Sequence, residues 1–140
     1  MAARSYQSGN RTGQSFDHHT RPGNIGELML NDGVVNGRRL VSHEWIAMSL
    51  ASQVAISDSD PYADSYGYMW YTKAEPIGSH NIEVHFASGK GGNKIYIVPS
   101  LHMVVAITSS AYNTKYGQRR SQDILWKILA TASRPTTPAP

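Results

Sequence analysis

The chain has 140 residues, a formal net charge of +3 and no cysteine. That length suits one modest domain with its own core, and the missing thiols exclude a disulfide scaffold, a zinc ribbon and a cysteine nucleophile. The basic residues are scattered. Their closest grouping, Lys115, Arg119, Arg120 and Lys127 around one helical stretch, describes a weakly basic surface and not a nucleic-acid footprint.

In chain order, residues 1–22 are polar and without period, and are expected to be a disordered lead-in; no apolar run follows Met1-Ala2-Ala3-Arg4, so no signal peptide is expected, and no stretch reaches the length of a membrane span. Ile25, Leu28 and Met29 then share one helical face, and Asn31-Asp32-Gly33 stops the helix. Asn36-Gly37 between the pairs Val34-Val35 and Leu40-Val41 predicts a type I′ hairpin. Ser42 is placed to cap a second helix, with Glu44 in its first turn and Trp45, Ile46, Ser49 and Leu50 continuing it to Gln53-Val54.

The second half reads as sheet. Tyr66-Gly67-Tyr68-Met69-Trp70-Tyr71 is aromatic and alternating, as strands often are, and Glu75-Pro76-Ile77-Gly78 has the composition of a turn. Ile82, Val84 and Phe86 alternate with Glu83, His85 and Ala87, which gives a strand with one buried face; Lys94 to Val98 and Met103 to Thr108 are two further strands, antiparallel because their connection is short. Ile124, Leu125, Ile128, Leu129 and Ala132 line one face of a terminal helix, and residues 133–140 form a proline-rich tail expected to be disordered. The expected fold is α+β: an antiparallel sheet of about four strands flanked by helices, in a domain spanning 23–132.

Chemistry-bearing patterns mostly fail their own requirements. The loop Gly89-Lys90-Gly91-Gly92 is no P-loop: Val84 stands where the first glycine belongs, Gly91 where Ser or Thr belongs, and a strand follows where a helix is needed. His43-Glu44 opens like a zinc-protease helix, but Ala47 occupies the second histidine's place; His80 and His85 point in different directions, and no metal site is expected. Asp58, Asp60 and Asp64 share a loop with turn residues, and loop solvation helped by turn capping explains them better than acid/base work. Tyr66, Tyr68 and Trp70 suit a core strand better than a stacking platform. There is no Gly-x-Ser-x-Gly elbow and no serine with a lysine three residues on, so no self-sufficient catalytic machine is recognisable.

Four ordered segments nevertheless carry a resemblance: Ile25-Gly26-Glu27-Leu28-Met29-Leu30-Asn31-Asp32-Gly33, Asn36-Gly37-Arg38-Arg39-Leu40-Val41-Ser42, Tyr66-Gly67-Tyr68-Met69-Trp70 and Ala87-Ser88-Gly89-Lys90-Gly91-Gly92. Followed by Tyr96-Ile97-Val98-Pro99 and Val104-Val105-Ala106-Ile107-Thr108-Ser109, they resemble the serine β-lactamase and penicillin-binding-protein-like hydrolases, in the class C and esterase branch, from about Ile25 to about Ala130. The resemblance implies a partial β-lactamase/transpeptidase-like fold, its C-terminal portion, and an ancestry in acyl transfer to ester, amide or β-lactam substrates without a cofactor.

It also implies a site. Ala87-Ser88-Gly89 matches the Lys-Thr-Gly triplet of the family's cleft strand, so Ala87, Ser88 and Gly89 become substrate-binding positions, and the backbone N–H of Lys90 becomes an oxyanion donor. Ala87 departs from the family's Lys or His, which removes the charge that steers a carboxylate; Lys90 or a change of substrate would compensate. The family's Ser-x-x-Lys and Tyr-x-Asn motifs are not in these 140 residues. The chain alone is therefore expected to be inactive, with an exposed sheet edge and a complementing N-terminal fragment as partner; the alternative is a non-catalytic module that binds peptides along its β-edge. Members of the family are often periplasmic or secreted.

Overall fold

The computed structural model describes residues 22–133; the expected lead-in up to residue 21 and the tail from residue 134 lie outside the described residues. Helix α1 is Pro22–Leu30. Proline at its first position has the fixed φ of a helix and no N–H to satisfy. Strands β1 (Val34–Val35) and β2 (Arg38–Arg39) form the expected hairpin, with Asn36 and Gly37 at φ 51° and 74°, as a type I′ turn requires. Helix α2 is His43–Leu50, capped by Ser42, whose hydroxyl oxygen accepts the N–H of Trp45 at 3.2 Å.

The remaining elements are β3 (Val54–Ala55), β4 (Ser65–Tyr66), β5 (Tyr71–Ile77), β6 (His80–Ser88), β7 (Lys94–Val98), β8 (Met103–Ile107) and helix α3 (Gly117–Ala132). The fold is α+β, with β3 to β8 in one antiparallel six-stranded sheet in sequence order. One face packs on α3 through Val84, Phe86, Tyr96, Val98, Leu125 and Leu129; the other packs on α1 and α2 through Met29, Ile46, Trp70 and Ile97. Leu125 and Leu129 are fully buried, each worth about 1.5–3 kcal/mol relative to exposure.

Several sequence expectations are corrected. The sheet has six strands, not about four, because β3 and β4 are two-residue strands too short to show a period. Helix α2 stops at Leu50, so Val54 belongs to β3. The aromatic run is not one strand: it turns between β4 and β5, with Met69 at φ 70°. Strand β5 runs through Glu75-Pro76-Ile77, and the turn comes later, at Gly78-Ser79. Proline is tolerated there because β4 pairs only with Tyr71 and Thr72, which leaves Pro76 with one open side.

Two helix faces are rotated from the expected ones. Gly26 lies so close to the sheet that a Cβ there would stand 2.5 Å from Val104 Cγ1, so α1 buries Gly26 and Met29 and leaves Ile25 exposed. Helix α3 buries Gly117, Ser121, Leu125 and Leu129, a four-residue stripe that excludes Ile124.

Candidate functional site

The β5–β6 ladder ends at Tyr71↔Phe86, whereas β6 stays paired with β7 through Ser88↔Lys94. Ala87 and Ser88 thus continue past the end of the β5 ladder. Beyond them the chain reverses through Gly89–Asn93, closed by the Gly89 N–H donating to Asn93 O at 2.8 Å, with Gly91 and Gly92 at φ 83° and 88°. Positive φ at two successive residues is why glycine stands at both. Asn93 braces the loop from inside: its Nδ2 donates to Lys90 O at 2.9 Å, and its Oδ1 accepts the Ser109 N–H at 2.9 Å.

Two cavities meet this loop. One, of about 360 Å³, is lined by Ala87, Ser88, Gly89, Asn93, Lys94 and Thr108 among others. The second, of about 230 Å³, is lined by Lys90, Gly91, Gly92 and the first turn of α3. The four residues singled out in the sequence are therefore divided: Ala87, Ser88 and Gly89 line the first cavity, and Lys90 lines the second. Gln118 joins them, accepting the Ser88 hydroxyl at Oε1 (3.3 Å) and donating from Nε2 to Gly89 O (3.2 Å).

Lys94 is the residue the sequence reading missed. Its Nζ donates to Ser88 Oγ at 2.8 Å and lies 4.5 Å from the centroid of the Phe86 ring, while the residue is only 4% exposed. Burial pulls its pKa down to about 8, and the carboxylate of Asp60 opposes that shift without cancelling it. A signal was present: Lys94 shares the parity of Tyr96 and Val98 on β7, so strand alternation puts a lysine on a core face.

Elsewhere the polar residues have structural tasks. His43 Nδ1 meets Asp32 Oδ1 at 2.8 Å, and Arg39 binds the other carboxylate oxygen at 3.2 Å. Asp60 accepts the Tyr62 N–H, and Asp64 accepts the Ala74 N–H and Lys73 Nζ, which are capping and bridging roles. His85 is buried on β6 against Thr72 Oγ1 at 2.9 Å. Trp70 is buried in the core, and Tyr68 stacks on Trp45 at the surface. Among the described residues no group of three or more His, Asp or Glu side chains is arranged to hold a metal, and no helix is long and apolar enough to cross a membrane.

A scan against protein-family models matches none of them, and a search of curated proteins finds no match.

Proposed function

We propose that this chain is the C-terminal part of a β-lactamase-related serine hydrolase of the class C and esterase branch, and that Ala87-Ser88-Gly89 is the strand along which an acyl substrate lies. The observation that carries the reading is the projection of Ala87 and Ser88 past the end of the β5 ladder beside an open cavity. A strand end that is paired on one side and open on the other offers main-chain groups to an extended ligand, and at Gly89 a Cβ would crowd Asn93 at 3.2 Å in the loop that closes this end. Ser88 binds the substrate's polar groups, and the Lys90 N–H contributes to the oxyanion hole.

The Ser-x-x-Lys motif that performs this chemistry in the family is not among these 140 residues, so multiple turnover requires a segment that bears it. Strand β8 supports a complementing partner: it is the last strand in the sheet order, and its outer edge pairs with no strand among the described residues. The second reading, a non-catalytic module that binds a peptide by adding it to the sheet, rests on the same edge.

The test is to mix the chain with the N-terminal portion of a family member and follow a chromogenic ester or β-lactam. The chain alone should show no multiple turnover and the mixture should. Turnover absent from a mixture that forms a stable complex would favour the binding module.

A further inference from the structure

We infer that Ser88 and Lys94 form a nucleophile–base pair, a site of covalent modification at which the Ser88 hydroxyl is acylated by carboxylic esters or phosphonylated by their reactive analogues. The inference needs only this strand pair and does not depend on the family reading.

The geometry comes from the register. Ser88 and Lys94 face each other across the β6–β7 ladder, so their side chains leave the sheet on the same face. The 2.8 Å separation of Lys94 Nζ from Ser88 Oγ is within reach for direct proton transfer. The two ends of the pair have opposite surroundings. Ser88 is exposed beside the 360 Å³ cavity and open to a reagent, whereas Lys94 is 4% exposed and forms no salt bridge among the described residues.

A buried lysine whose polar contacts are one hydroxyl and one aromatic face is poorly compensated as a cation. Burial brings its pKa to about 8, so about a tenth of it is neutral at about pH 7 and most of it by about pH 9. The charged group that acts on it from the neighbouring loop is Asp60, which favours the ammonium. The other neighbours, Phe86 and Gln118 (the latter reached through Ser88), are uncharged.

Neutral Lys94 takes the proton of Ser88 Oγ, which rotates its hydrogen away from Gln118 Oε1. The oxygen forms a bond to the acyl carbon, or to phosphorus, as the bond to the leaving group breaks. Alkoxide or fluoride departs with the electron pair, and the proton passes from the Lys94 ammonium to solvent. Gln118 is a positioning residue, holding Ser88 Oγ between itself and Lys94.

The experiment treats the full chain with a biotinylated fluorophosphonate and maps the adduct by peptide mass spectrometry. One equivalent should appear on Ser88, at a rate rising about tenfold between about pH 7 and about pH 9, as a base titrating near 8 demands. Ser88→Ala should abolish the adduct. Lys94→Met and Lys94→Arg should each lower the rate at least about tenfold, since neither supplies a neutral amine in that range. No labelling above a heat-denatured control, an adduct elsewhere, or an unchanged rate in Lys94→Met would overturn the pair.

A second measurement does not depend on Ser88 chemistry. The chain has no cysteine, so Ser88→Cys carries a single thiol. Its alkylation by iodoacetamide should titrate below the ordinary thiol value of about 8.5, and adding Lys94→Met should move that midpoint up. Identical midpoints in the two proteins would show that Lys94 does not act on position 88.

Discussion

Ser121, buried in α3, donates its hydroxyl to Gly92 O at 2.6 Å and so joins the last helix to the loop that follows the candidate cleft strand. The contact is tight on the backbone side as well: a Cβ at Gly92 would stand 2.5 Å from Gly117 O, at a φ of 88° that L-residues rarely adopt. Gly92→Ala is therefore expected to cost at least about 2 kcal/mol, from strain and from displacement of the α3 N-terminus. Ser121→Ala should cost about 1–3 kcal/mol through the unsatisfied carbonyl it leaves. Urea unfolding monitored by circular dichroism measures both; a Gly92→Ala midpoint equal to that of the wild type would mean that the loop and helix are not held together as described.

Lys94 makes stability depend on pH on the alkaline side. Its folded pKa of about 8 lies below the ordinary 10.5, so the unfolded chain binds more protons between those values and stability climbs as pH rises through that window. Below it the burial penalty is fully present, up to about 3 kcal/mol. Lys94→Met should raise the melting temperature at neutral pH and flatten the climb. A variant less stable than wild type at neutral pH would show that the ammonium is well compensated after all.

On the acid side three groups act in the same direction. Burial lowers the pKa of His85, with Glu83 opposing, so the folded chain keeps this imidazole neutral and loses stability as pH falls below the ordinary histidine range. Asp32 is lowered first by its hydrogen bond from His43 and then by Arg39; Asp64 is lowered because Ala74 N–H and Lys73 together outweigh its desolvation. Both carboxylates contribute stability above their ordinary values that is lost as pH falls through the folded ones. Melting temperature should drop in two stages, and His85→Asn should remove the upper stage alone. A single transition confined to the carboxylate range in the wild type would contradict the assignment to His85.

Tyr96 is fully buried, and its hydroxyl has no hydrogen-bond partner among the described residues. The Glu75 carboxylate nearby is held by Gln122 and Trp126. Removing an unpaired buried hydroxyl while keeping the ring should be neutral to stabilising, by up to about 1 kcal/mol. Chemical denaturation of Tyr96→Phe checks it; a loss above that size would reveal a partner for the hydroxyl.

Much of the architecture was legible wherever local chemistry and tertiary packing agree. Asn36-Gly37 fixes a turn, Ser42 caps a helix, and the Ile82-Val84-Phe86 alternation matches a strand whose face lies under α3. Legibility failed where contact geometry decides. Gly26 turns α1 about its axis by permitting close approach to Val104, and Pro76 sits in a strand because its neighbour on one side is missing. The structure places the residues singled out in the sequence in part together and in part apart. Ala87, Ser88 and Gly89 do meet at one cavity, but Lys90 faces another, and Lys94 reaches Ser88 only through a ladder register that no linear motif encodes.

If the β6 end and its following loop are the cleft strand of an acyl-transfer site, as proposed, the main chain at Lys90 carries a donor whose loss can be measured. Lys90 is exposed, and in the proposed site it would contribute to the oxyanion hole only its N–H, so side-chain loss and N–H loss should differ. With the complementing N-terminal portion supplied, Lys90→Ala should retain the ester turnover of the wild type, whereas Lys90→Pro, which has no N–H, should lose about a hundredfold or more. Equal turnover in the alanine and proline variants would contradict the claim and remove the site assignment with it.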